Sequence, residues 1–508
     1  MASLGLLDWL IFGGYVVVVF ALGLWFAREQ HTNEDYFVGS RRMNWIAVGL
    51  SLFAGTFSSL SFVGLPREAA YKDYHLYLAI LFIPFAAGPL LWFVFVPLYY
   101  RLRLISINEY FERRFNSRVR KLGSFLFASY AIGWMGDMLH AVGVILQTVL
   151  NLSRAQLTLA VVVLGLFATL YTSLGGVKAV IWTDVLQAIT LGGGMLLVLF
   201  LVVGRVPDGW STVWQVAVRD QKFAMLNTRF DMTENENVYS VVAFGIFVYV
   251  GAHLVSFGAV QRYVSMPNLR AARGSLIVNG FMVAAVCGLF FLVGTALYGF
   301  YHHPEADGFP ASISEDQLLP YFIQNVLALP GLNGLLLAGL FAAAMSSVDT
   351  GINSLTATLV YDWLDGRHHG VGFSRIMCAV FGMAVIISAL VVPLLGDHVF
   401  EIIMKISGTF IGPLFGMLLL GVLIPWSNPS GVLCGLIAAA ASLMIVWGVE
   451  AWQGIEISHW WYGAFTCVPT FVVGVLASRL FPRPQREQIE GLVFGHNSKE
   501  FQQGFTEV

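Results

Sequence analysis

Four polar residues of the 342–354 stretch, Ser346, Asp349, Thr350 and Asn353, fall at i, i+3, i+4 and i+7. On a helix that spacing puts them on one face. Hydroxyls, an amide and a carboxylate are hard oxygen donors, which suit a bare alkali cation and suit soft metals poorly. The same stripe can equally hydrogen-bond a neighbouring helix. A second concentration of hydroxyls comprises Ser51, Thr56, Ser58, Ser59 and Ser61, with Gly55 and Gly64 among them and Pro66 after them. A helix of that composition unwinds easily and frees backbone carbonyls as ion ligands, although small residues also serve close helix packing. Asp184 stands about one turn into a helix introduced by Gly175 and Gly176, where the helix dipole favours a carboxylate and a plain cap is the alternative. Trp134, Asp137 and His140 recur at intervals of three, and Asp137 needs a partner: a cationic solute, a proton, or Lys405 in a structural ion pair. As an acid and base, His140 and Asp137 are better suited to a structural hydrogen bond than to enzyme chemistry.

These groups are informative because of the elements that carry them. The chain of 508 residues is 57% hydrophobic and 11% charged, against about 25% charged in a soluble domain. A globule built this way could not coat its own surface, so lipid must. The fold class is therefore an all-α polytopic membrane protein. A span needs about 20 apolar residues. Thirteen such runs occur, at 6–27, 45–70, 76–100, 122–150, 156–174, 180–204, 237–262, 274–301, 332–362, 375–396, 399–424, 431–450 and 460–480. The first has no basic leader and reads as a retained helix, not a signal peptide. An odd number of spans puts the termini on opposite sides. With the N-terminus outside, inward segments hold twenty Lys and Arg, among them Arg101, Arg103, Arg113, Arg114, Arg367 and Lys499, and outward segments hold seven. That bias puts the C-terminus in the cytoplasm.

The composition also excludes classes of function. The longest polar interruptions, 205–236 and 302–331, are too short for a nucleotide-binding domain, and no G-x-x-x-x-G-K-[ST] occurs, which argues against transport driven by nucleotide hydrolysis. A net charge of -2 leaves no footprint for nucleic acid. Cys287, Cys378, Cys434 and Cys467 lie far apart in apolar runs and read as small core residues.

Six motifs, in order, resemble the sodium:solute symporter family. They are Glu34 to Arg41 followed by Trp45, Gly64-Leu65-Pro66 after the serine-rich helix, Gly175 to Gln187, Val260-Gln261-Arg262-Tyr263, the 342–354 stripe, and Gly408 to Leu414. The resemblance implies a leucine-transporter-like core with inverted five-helix repeats at 45–204 and 237–424. An extra helix and cytoplasmic loop at 1–44, two further helices at 425–480 and a cytoplasmic tail at 481–508 complete that layout. It implies Na+ as coupling ion, held at a main site by the backbone carbonyls of Ala54, Phe57 and Ala343 and the hydroxyls of Ser346 and Ser347. A second sodium site, which some members have, corresponds to Asp184, Ser346, Asp349 and Thr350; the family often has serine where this chain has Asp349.

By the same resemblance, solute contacts fall on Thr56, Ser58 and Ser61, on Tyr77 and Leu81, on Trp134 and Asp137, and on Tyr249, His253, Ser256 and Phe257. Trp134 stands where sialic acid carriers have an arginine and Leu81 where they have a glutamine, which argues against sialic acid as the solute. Gly258 stands at the galactose carrier's aromatic inner gate. Asp137 with Lys405 would suit an amino acid, unless Glu401, one turn from Lys405, neutralises it. The expected protein is a monomeric plasma-membrane transporter, in a bacterium an inner-membrane one, that uses the sodium gradient to take up a small polar organic solute by alternating access. A proton-coupled symporter of the same fold and a non-transporting solute sensor are the alternatives.

Overall fold

The computed structural model describes residues 4–495 apart from 103, 105, 151, 236, 312, 365–369 and 396–398. Arg103, Arg367, Lys499 and the end of the tail therefore lie outside the described residues, as does the side chain of Glu401. Every regular element described is helical. Ten helices are long and apolar enough to cross a membrane, or eleven if the bent pair Trp45–Thr56 and Ser59–Tyr71 forms one span. The expected runs at 156–174 and 180–204 lie in one helical stretch, Arg154–Val203, of 50 residues. At 1.5 Å per residue a straight helix of that length would measure about 75 Å, more than twice the hydrocarbon thickness of about 30 Å. It turns instead at Gly176, whose φ of 59° and ψ of −161° leave the helical region. A Cβ at Gly176 would meet the Tyr36 carbonyl oxygen at 2.7 Å, so the turn and the close approach both require glycine. The expected run at 122–150 belongs to Ser117–Leu150, a 34-residue helix outside the ten.

Two helices are interrupted in mid-course, and both interruptions are written in side-chain chemistry. Trp45–Thr56 (α1) and Ser59–Tyr71 (α2) meet at 71°. Thr56 Oγ1 donates to the carbonyls of Leu52 (3.2 Å) and Phe53 (2.8 Å), bringing a hydroxyl onto the end of the ladder. Phe57 is then extended (φ −89°, ψ 120°), and Ser58 starts α2 by accepting from the Ser61 amide at 3.2 Å. The second interruption separates Val238–Val255 (α3) from Phe257–Val264 (α4) at Ser256, again extended (φ −64°, ψ 124°).

The long helix Leu332–Trp363 (α5) carries the polar stripe and packs against α1, α2 and α4. It is buried on nearly all sides, unlike the lipid-facing Leu6–Ala27 helix. That all-round burial is what allows a row of hydroxyls and carboxylates in mid-membrane.

Candidate functional site

The two helix interruptions face a cavity of about 400 Å³. Thr56, Phe57, Ser58 and Ser61 line it from the first broken helix, and Tyr249, His253 and Ser256 from the second. Trp134 and Tyr130, stacked at a centroid distance of 6.1 Å, form an aromatic wall, and Ser347 and Thr350 of α5 face it. The cavity extends toward the 302–331 segment, where Arg67, Glu68, Ser314, Asp316 and Gln317 line its mouth.

Four residues implied as solute contacts turn away. Leu76, Ile80 and Ile83 form the cavity face of their helix, at i, i+4 and i+7, which directs Tyr77 and Leu81 elsewhere. Tyr77 instead donates its hydroxyl to the Ala284 carbonyl at 2.8 Å. Phe257 follows the Ser256 interruption and packs on Phe127 at 6.0 Å. Asp137 is fully buried between Trp134 and Ala141, which do line the cavity, and neither of its oxygens has a hydrogen-bond partner among the described residues. Lys405 does not reach it: its ammonium lies 3.8 Å from Glu456. At Gly258 a Cβ would meet Ser354 Oγ and Thr350 Cγ2 at 2.9 Å each, so no aromatic gate fits there.

The residues implied as sodium ligands divide into two groups. Ser346 Oγ donates to the Ala343 carbonyl at 3.2 Å. The neighbouring Ser347 Oγ is buried, faces the cavity as Phe57 does, and has no hydrogen-bond partner among the described residues. The Phe57 amide closes α1 onto the carbonyls of Phe53 (3.0 Å) and Ala54 (3.2 Å), and beyond it the helical ladder lapses and leaves carbonyl lone pairs free. A buried hydroxyl without a partner beside a helix end is a donor set for a small cation.

The second group surrounds an arginine. Arg262 of α4, nearly fully buried, donates from Nε to Ser51 Oγ (2.6 Å), from Nη2 to Asp184 Oδ2 (2.8 Å) and Thr350 Oγ1 (2.5 Å), and from Nη1 to the Gly258 carbonyl (3.2 Å). Ser51 Oγ in turn donates to Asp184 Oδ2 at 2.5 Å, and Thr350 Oγ1 to the Ser346 carbonyl at 2.6 Å. Asp349, the neighbour of Thr350 on the same helix, accepts from Tyr171 OH at 2.8 Å. Sequence spacing assigned Arg262 no role. The signal was present nonetheless: an arginine at the end of the 237–262 run must be paired, and Asp184, read as a carboxylate near a helix start, was a carboxylate with no cation named for it.

A model of the sodium:solute symporter family matches residues 36–439. The chain belongs to the sodium:solute symporter family. It is similar to a sodium/sialic acid symporter of Aliivibrio fischeri, 28% identical over 491 residues, which cover 94% of each chain. It is 31% identical over 459 residues to the sodium-coupled monocarboxylate transporter 1 of Homo sapiens, with 88% of this chain and 73% of that one covered. Among solved structures it resembles the substrate-bound, outward-open state of a Na+-coupled sialic acid symporter, with a TM-score of 0.86 at 25% identity, covering 95% of this chain and 99% of the other. The nucleobase-cation symporter Mhp1, at 14% identity and a TM-score of 0.57, shares the fold. This symporter is thus an integral membrane secondary transporter of the leucine-transporter fold, and Na+ is its coupling ion.

Proposed function

We propose that this symporter takes up a small monocarboxylate bearing a hydroxyl or N–H donor, with one Na+ held by the carbonyls of Ala54, Phe57 and Ala343 and the hydroxyls of Ser346 and Ser347. The unpartnered Ser347 Oγ, buried at the cavity edge beside the first interruption, carries the reading. All five ligands are neutral oxygens, and among the described residues no carboxylate lines the cavity between the two interruptions. The ion's positive charge is therefore left for an anionic solute to balance. His253 supplies the second selection. Its Nδ1 lies 2.9 Å from the Tyr249 carbonyl, which can only accept, so Nδ1 carries the proton and the unpartnered Nε2 is an acceptor. Leu76, Ile80, Val248 and the Tyr130–Trp134 wall suit a short apolar body. Monocarboxylates are what the similar human carrier is named for.

Sodium and solute stabilise the same arrangement of α1, α2 and α5, so each raises the other's affinity by one shared factor. The N-terminus lies outside and the C-terminus in the cytoplasm, the cavity opens outward, and rocking of the 45–204 and 237–424 repeats releases both ligands inward. One chain completes the cavity, and a monomer in the plasma membrane suffices. At Asp184, Ser346, Asp349 and Thr350 the guanidinium of Arg262 takes the place of a second sodium, since it already engages Asp184 and Thr350.

One sodium with one monoanion makes an electroneutral cycle, whereas a second ion would add about 2.3 kcal/mol of driving force per 100 mV. The test is uptake of lactate, pyruvate and neutral solutes into proteoliposomes with an inward sodium gradient, with and without an imposed potential. Sodium-driven lactate uptake that ignores the potential is expected. Uptake that follows pH and ignores sodium, or that rises with an inside-negative potential, overturns the reading. Within it, Ser347→Ala should raise the sodium concentration for half-maximal uptake about tenfold, the loss of one buried ligand, and Ser346→Ala less.

A further inference from the structure

Of the arginines that line the cavity, Arg262 is saturated and Arg67 is not. Arg67 sits near the outer end of α2, where one guanidinium nitrogen pairs with Glu68 Oε1 and Nη1 lies 3.1 Å from Asp316 Oδ1. Its Nε is buried and has no hydrogen-bond partner among the described residues. The two carboxylates are held differently. Glu68, its side chain 9% exposed, also meets Lys72 at 3.6 Å, whereas Asp316 is 59% exposed and arrives from a short helical turn at 315–317. Asp316 is thus the removable partner: an exposed ion pair contributes only about 0–1 kcal/mol. Arg67, Asp316, Ser314 and Gln317 all line the mouth, so the pair crosses the path by which a solute enters.

We propose that Arg67 is an outer docking residue for the solute's carboxylate, which exchanges with Asp316 at the guanidinium and so opens the mouth as it binds. The exchange trades one exposed carboxylate arm on Nη1 for the solute's carboxylate, so the guanidinium keeps an anionic partner throughout. It keeps the local charge constant, whereas a neutral solute entering the same way would leave Arg67 short of a partner. About nine residues of α2 separate Arg67 from Ser58, roughly 13 Å along a helix, so docking precedes arrival between the interruptions. The inference rests on the anionic solute and outward opening proposed above.

The test uses the full chain in proteoliposomes with a sodium gradient, lactate and glycolate as probes and their amides as neutral counterparts. Arg67→Gln is expected to raise KM for the anions about tenfold, the loss of a charge-assisted contact, with sodium half-saturation and maximal rate unchanged. Asp316→Asn is expected to act in the opposite sense and lower the anion KM about threefold by removing the competitor. Arg67→Lys, which keeps the charge without the fork, should fall between wild type and Arg67→Gln and guards against a folding failure of the latter. A merely structural lock would make Arg67→Gln and Asp316→Asn impair uptake alike, and that outcome overturns the proposal, as does an anion KM unmoved by either. Anion uptake that is normal in wild type but insensitive to Arg67 defeats this inference alone. No sodium-driven anion uptake in wild type defeats the anionic-solute reading and this inference with it.

Discussion

At one end of the cavity Arg67 meets an aspartate whose side chain is 59% exposed, and at the other Arg262 meets Asp184, which is fully buried. The difference continues outward from each pair. Beyond Arg67 lie short turns in which none of residues 303–311 and 313–317 is buried. Beyond Arg262 the chain builds further buried networks. Asp362 accepts from Ser106 (2.9 Å), Asn108 (2.7 Å), Ser124 (2.9 Å) and Arg120 (3.0 Å). Arg114, with no exposed surface, caps the Val399–Leu423 helix by donating to the carbonyls of Gly421 (3.0 Å), Ile424 (2.7 Å) and Ser427 (3.2 Å). Even the tail is drawn in: Tyr110 OH donates to the Leu492 carbonyl at 3.0 Å and Gln488 to that of Phe115 at 2.7 Å. Separating a buried charge pair strands each charge in low dielectric, whereas separating an exposed one returns both to water. In the orientation proposed above, the Arg67 end is the outer one and opens at little cost, and the Arg262 end opens only when ligand binding supplies the free energy.

Breaking the inner end should have the largest consequence. Asp362→Ala removes the acceptor shared by Ser106, Asn108 and Ser124 and one of the two carboxylates of Arg120, which keeps Glu112, and is expected to destabilise the transporter by about 3 kcal/mol or more, read as a large fall in melting temperature in detergent. A loss no greater than that of a surface substitution would erase the contrast. Arg262→Met, which leaves Asp184 buried and uncompensated, should abolish uptake and destabilise by about 3 kcal/mol, and adding Asp184→Asn should recover much of the stability. Additive losses in the double variant would mean that the two residues act separately. Arg67→Gln, by contrast, should alter stability by less than about 1 kcal/mol.

A pH dependence sharpens the outer side. Lys222 donates to the carbonyls of Ala70 and Lys72, both at 2.7 Å, at the outer end of α2. Burial lowers its ammonium from the usual 10.5 to about 8. Between about pH 8 and 10.5 the unfolded chain therefore holds a proton that the folded one has lost, and stability should rise with pH across that window. Thermal melts should show that rise in wild type and a flatter profile in Lys222→Met. Equal slopes would show that Lys222 ionises freely.

Much of the site was legible because its chemistry is local. The period of Ser346, Asp349, Thr350 and Asn353 put oxygen donors on one face before any partner was known. Ser58 and Ser61 marked the first interruption, where a serine caps the outer half-helix. The cavity wall was harder. Tyr77 and Leu81 were implied by family position, but only the packed bundle shows that the neighbouring face of their helix, with Leu76 and Ile80, is the one turned inward. Asp137 met neither Lys405 nor the cavity, because a helix rotation of some tens of degrees separates lining from burial.

The amino-acid sequence by itself determined that this chain crosses a membrane many times and carries oxygen donors where lipid would exclude them, since hydropathy and helical period are properties of neighbours along the chain. The tertiary structure alone decided which donors are already spent. Thr350, Asp184 and Ser51 are consumed by Arg262, a residue 78 positions from Asp184, while Ser347 is left open. Satisfaction of a buried polar group depends on what another helix brings to it, and no spacing within one helix encodes that.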